Sequence, residues 1–131
     1  MVLVREGAVE GPDADSGGTR DRENLAMTYE FIGRRQEAVD PQAALAAYRR
    51  SLQIAEGKPG EPSSPGLQAQ ILTDWRAISA VLAAFGDRAG ALSAADKSIA
   101  LAQGYGGSRM GSEVAKGQVA RSRVEEIMAR R

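Results

Sequence analysis

The sequence predicts an all-α fold of two antiparallel helical hairpins followed by a C-terminal capping helix. Three observations carry this expectation. Apolar and small residues recur at three-and-four spacing through residues 74–102, the pattern of a helix with one buried face. The pattern returns upstream, over residues 22–55, in a second copy. Stretches rich in glycine, proline and serine (GKPGEPSSPG at 57–66 and GYGGSRMGS at 104–112) separate the periodic segments.

Residues 1–21 divide in two: 1–9 carry a short apolar run, able to form a helix or a strand, and 11–19 (GPDADSGGT) have linker composition. The first helix is expected over about 21–37, burying Leu25, Tyr29, Ile32 and Gly33, with Met27 and Phe31 on another flank that also needs cover. Asp40 caps the second helix and Pro41 stands at its first position, where a missing N–H costs nothing. That helix carries Leu45, Tyr48, Leu52 and Ile54 and ends near Gly57. Ser64 and Pro65 start the third, over about 65–84, with Leu67, Ile71, Leu72, Trp75, Ile78 and Leu82 on its stripe. The phase of Trp75 with Ile78 and Leu82 places it between helices rather than in a ligand site. Gly86 breaks that helix, and Asp87 caps a fourth whose Ala91, Ala95 and Ser98 allow close backbone approach. The last helix is expected over about 112–129, capped by Ser112, with Val114, Gly117, Ala120, Val124, Ile127 and Met128 inward.

The two hairpins superpose. Asp40, Ala44, Leu45, Tyr48, Ser51 and Leu52 match Asp87, Ala91, Leu92, Ala95, Ser98 and Ile99 at an offset of 47 residues, and Tyr29, Ile32 and Gly33 match Trp75, Ile78 and Ser79 at an offset of 46. Units that cannot bury their faces alone stack on one another. Within residues 72–105, Trp75, Ile78–Ser79, Leu82, Gly86, Ala91, Ala95 and Ser98 resemble the tetratricopeptide repeat, with Gln103 where that family closes on proline. Residues 25–55 resemble it more loosely, with Gln36 and Val39 departing from its pattern. The phrases LAMTYEFIG and ALAAYRRSL are similar to degenerate repeats found C-terminal to bacterial Ser/Thr protein kinases. In those repeats a phrase like LVREG closes a unit, so the N-terminus reads either as the remnant of a preceding repeat or as a frayed tail. The resemblance implies TPR-like hairpins, units at about 22–56 and 67–103, in a domain spanning 22–131. It further implies a protein-interaction scaffold; the alternative is a self-associating structural or regulatory module within a larger kinase-linked protein, and the lack of cysteine makes the cytoplasm the expected compartment.

Composition narrows the chemistry. The 131 residues carry 17 basic and 17 acidic side chains, so no global attraction to nucleic acid or an anionic membrane is expected. There is no cysteine and no histidine, which removes thiol nucleophiles, Ser–His triads and zinc sites built on those residues. No cofactor and no metal is expected, and no apolar run reaches the ~20 residues of a membrane span. The acidic pairs Glu125–Glu126 and Asp13/Asp15 read as a solvated face and a linker, and the mildly basic last helix lacks aromatics for base stacking. The 104–112 loop matches no phosphate-binding fingerprint. No catalytic residue is assigned, and an enzyme is not expected.

Two candidate surfaces remain. Stacked hairpins present a concave face from the first helix of each unit, where Glu30, Arg34, Arg76 and Ala80 are expected to meet a protein or peptide partner. In chaperone-binding relatives of the repeat, lysines and asparagines at this face hold a terminal carboxylate; this sequence lacks that set. Met27 and Phe31 form the second surface: covered by the N-terminal segment, by a second copy in a homodimer, or by a further repeat of a longer parent protein.

Overall fold

The computed structural model describes residues 14–130, with side chains from Gly18 onward. Five helices occupy almost all of it: α1 (Ala14–Gln36), α2 (Pro41–Glu56), α3 (Pro65–Ala84), α4 (Arg88–Tyr105) and α5 (Met110–Ala129). No strand occurs among the described residues. The expectation for residues 1–9 lies outside them.

Three helix starts follow from one local bond each. The carboxylate of Asp40 accepts from the Ala43 N–H at 3.1 Å, the Ser64 hydroxyl from the Leu67 N–H at 3.0 Å, and the Asp87 carboxylate from the Gly90 N–H at 2.9 Å. Each bond satisfies a donor that the first helical turn leaves unpaired. At the end of α3, Gly86 takes a left-handed φ of 85°. Its N–H then donates to the Ala83 carbonyl at 2.9 Å and the Asp87 N–H to the Leu82 carbonyl at 2.9 Å, closing one helix and aiming the chain into the next.

Successive helices pack on one another, and α3 also touches α1 and α5. Their contacts fix alternating directions. Gly33 of α1 meets Tyr48 of α2, while Arg22, earlier in α1, reaches Ile54 and Ala55, later in α2. Likewise Asp96 and Arg88 of α4 meet Arg121 and Glu125 of α5 in reversed order. The core runs between the layers through Ala26, Ala44, Tyr48, Leu67, Ile71, Ile78, Val81 and Ala94, with a smaller cluster of Ala83, Ala91 and Val124 toward α5. Positions matched by the internal repeat share their burial: Ala44 and Ala91, Tyr48 and Ala95, and Ser51 and Ser98 are all fully buried.

Side chains from α1 reinforce the join between the pairs, where α2 packs directly on α3. The Arg22 guanidinium donates to the carbonyls of Ile54 (3.2 Å), Ala55 (3.0 Å) and Pro62 (2.5 Å). The first two lie in the last turn of α2, where helical carbonyls lack intrahelical partners and favour a cation. One residue later, the Glu23 carboxylate accepts from the hydroxyl of Ser64, the cap of α3, at 2.6 Å.

Three expectations are corrected. Helix α1 begins at Ala14, so residues 14–19 are helical rather than linker. Gly17 and Gly18 each lower helix propensity by about 1 kcal/mol, but a docked helix propagates by adding one backbone bond per residue. Second, Leu25 (47% exposed) and Ile32 (40%) lie outside the buried seam, which holds Ala26 together with Gly33, buried as expected. The close approach of Tyr48 selects the smallest residue at Gly33: a Cβ there would stand 2.7 Å from its ring. Third, Ser112 does not cap α5. The helix starts two residues earlier, through a turn in which the Met110 N–H donates to the Gly107 carbonyl at 3.2 Å, and its cap residue Arg109 makes no side-chain bond. Of its expected inward face only Gly117 and Val124 are fully covered; Val114, Ala120, Ile127 and Met128 are half-buried.

Candidate groove between α1, α3 and α5

A cleft of about 710 Å³ lies between α1, α3 and α5. Its floor is α3, contributing Thr73, Arg76, Ala77, Ala80 and Ala83. One wall is the C-terminal half of α1 with Tyr48 behind it, and the other is α5 with Lys116, Val119, Arg123 and Ile127. The four residues expected at a concave face, Glu30, Arg34, Arg76 and Ala80, all line this cleft. Met27 and Phe31 do not; they stand on the outer side of α1, more than half exposed.

Small residues at i, i+3 and i+6 of α3 (Ala77, Ala80, Ala83) make the middle of the floor shallow and apolar. Charges are confined to its borders and largely paired. Arg34 holds Glu30 at 3.2 Å one turn away, and Arg76 and Lys116 hold Glu113 at 3.0 and 3.1 Å. Burial pushes the Glu113 carboxyl up, but the hydrogen bonds and positive charges of Lys116 and Arg76 outweigh it and keep its pKa below the ordinary value. The Tyr48 hydroxyl donates to Glu37; burial first, then that bond and the Glu37 charge, raise the phenol far above its usual range. Arg123 has no ion pair among the described residues and puts a positive charge on the α5 wall.

Behind the floor runs a polar chain that the sequence reading passed over. Asp74 of α3 is fully buried. Its carboxyl accepts from the Ser51 hydroxyl at 2.5 Å and from the Gln70 amide at 3.0 Å. That amide also reaches Glu30, on the groove wall, at 3.2 Å. Desolvation raises Asp74 from 3.8 to about 7 despite the two hydrogen bonds, with the charges of Glu30 and Glu56 adding to the rise. A carboxyl titrating near neutrality is a familiar acid–base catalyst. Here both oxygens are occupied and closed to solvent, so the group ties α2 to α3 and reaches no substrate. The signal was present: Asp74 falls in phase with Leu67, Ile71 and Ile78, a polar residue on an apolar stripe.

Trp75 is packed against the core as expected, half-buried, with Lys97 6.0 Å above its ring; its indole N–H is buried without a hydrogen-bond partner. Among the described residues no cluster of three or more acidic, cysteine or histidine side chains could hold a metal, and no helix is long and apolar enough to cross a membrane.

Fold and cleft together define an all-helical, repeat-like protein with a groove on the side of its odd-numbered helices. No protein-family model, curated protein or solved structure matches the chain.

Proposed function

We propose that the protein is a non-enzymatic interaction scaffold of the tetratricopeptide type, and that the α1–α3–α5 groove takes an apolar segment of a partner protein. The observation that carries this reading is the convergence of Glu30, Arg34, Arg76 and Ala80, four residues from two separate helices, on one cleft with an apolar floor. Such a groove suits a segment laying apolar side chains on the alanines of α3. The positive charge of Arg123 favours an acidic residue at the partner's flank. The resemblance to repeats beside bacterial Ser/Thr kinases supports a place within a larger kinase-linked protein.

A displayed random-peptide library, selected on the full chain, tests the proposal. Selected peptides are expected to combine apolar residues with an acidic one, and to lose binding to Ala80→Trp, which fills the floor, and to Arg123→Glu. Peptides that bind wild type and Ala80→Trp equally would place recognition elsewhere and refute it.

A further inference from the structure

On the exposed face of α1, Leu25 (47% exposed), Phe31 (54%) and Ile32 (40%) form an apolar stripe, with Met27 (56%) on its flank. Together they leave roughly 400 Å² of apolar surface in water, within the size range of the largest patch on a typical monomer, which is often functional. The stripe is centred on Thr28, and its seam follows residues 21, 25, 28, 32 and 35, the alternating four-and-three spacing of a helix–helix contact. Thr28 is no obstacle to burial, because its hydroxyl already donates to the Asn24 carbonyl at 2.9 Å within the helix. The ends of the seam carry opposite charges, Asp21 and Arg35. Arg35 is drawn over the stripe, its guanidinium 5.6 Å from the Phe31 ring.

These features are self-complementary. Asp21 and Arg35 stand seven residues to either side of Thr28. A two-fold axis through Thr28, perpendicular to the helix, sets Asp21 of one copy against Arg35 of the next, and Leu25 against Phe31 and Ile32. Every contact then occurs twice, as an isologous interface requires. A parallel arrangement would set Asp21 on Asp21 and Arg35 on Arg35 and is disfavoured by like charges.

We infer that this face of α1 is a homodimer interface, in which two copies pair antiparallel about Thr28. The surface is separate from the α1–α3–α5 groove, so the groove stays open in the dimer and the inference does not depend on it. The paired stripes, without the flanking Met27, bury roughly 600 Å² of apolar surface, below the range of permanent interfaces, so the dimer forms reversibly with concentration.

Sedimentation of the full chain over two orders of magnitude in concentration is expected to show a monomer–dimer equilibrium. Phe31→Glu abolishes it. Asp21→Arg and Arg35→Asp, each turning two attractive pairs into two repulsive ones, weaken it by about ten-fold, and the double reversal restores it. These positions are exposed, and unchanged far-UV circular dichroism verifies that the variants fold. Because the chain has no cysteine, Thr28→Cys adds a single thiol at the axis. On oxidation it should give a covalent dimer, whereas Lys58→Cys, in the loop between α2 and α3, should not. A wild-type monomer at every concentration overturns the inference. So does a dimer indifferent to both charge reversals, and so does one lost instead on Ala80→Trp, which would make the groove the interface.

Discussion

Replacing Asp74 by Asn tests how α2 and α3 are joined. The amide has nearly the same shape and keeps both partners: its oxygen accepts from Gln70 and its nitrogen donates to the Ser51 oxygen. What it removes is the ionisation. A carboxyl raised from 3.8 in the unfolded chain to about 7 in the folded one binds its proton more tightly when folded. The associated stability is fully present below about pH 4 and is lost as the pH rises toward 7. Each pH unit in that interval removes about 1.4 kcal/mol, and the whole interval up to about 4 kcal/mol. Glu113 acts in the opposite sense and elsewhere: its lowered pKa contributes stability present above its unfolded value and lost as pH falls through its folded one. Urea unfolding between pH 5 and pH 8 therefore isolates Asp74. Wild-type stability should fall steeply over this span, and Asp74→Asn should flatten the curve and be the more stable protein at pH 8. Parallel curves for the two proteins would refute the assignment of a strained, buried acid.

Two further substitutions probe the packing. Gly33→Ala should lower stability by about 1–3 kcal/mol, because the new methyl would lie 2.7 Å from the Tyr48 ring, whereas Gly104→Ala, with nothing within 4 Å of its Cβ, should raise it by up to about 1 kcal/mol through helix propensity; thermal melts showing the same sign for both would contradict the seam described. Ala91→Leu should cost about 1–3 kcal/mol by forcing α4 away from α3 at a fully buried position, and an unchanged melting temperature would mean that the helices do not meet there.

The parts of the fold legible in the sequence are those governed by near neighbours. Asp40, Ser64 and Asp87 announce their helices because a cap needs only the three residues after it, and Gly86 announces a stop because its left-handed turn is local. The start of α5 has no such token, being set by a backbone turn at Gly107, and falls two residues before the expected one. The phase of α1 is legible only in part: Gly33 is buried as expected, but Leu25 and Ile32, which hydrophobicity alone favours, are exposed. At Gly33 the neighbour's bulk decides instead, since a Cβ there would meet the Tyr48 ring. In the groove, the α1 and α3 residues were visible from repeat periodicity, since equivalent helices present equivalent faces. Lys116, Val119 and Arg123 were not, because α5 repeats nothing and its roll against α3 is a long-range outcome.

The Arg22 clamp has a consequence for how the protein can vary. The two helix pairs are registered by a guanidinium and a carboxylate in α1, which grip the end of α2 and the start of α3 directly. Apart from the Pro62 carbonyl, the intervening 57–63 segment is not what holds that register. Its length is therefore nearly neutral to stability: doubling a flexible connection adds only about 0.6 kcal/mol of closure entropy. Lineages of this chain can lengthen, shorten or decorate that tip while the groove opposite keeps its shape, provided that Arg22 and Glu23 stay. Without them, the Ser51–Asp74 bond and the shared core would be left to hold the two pairs together.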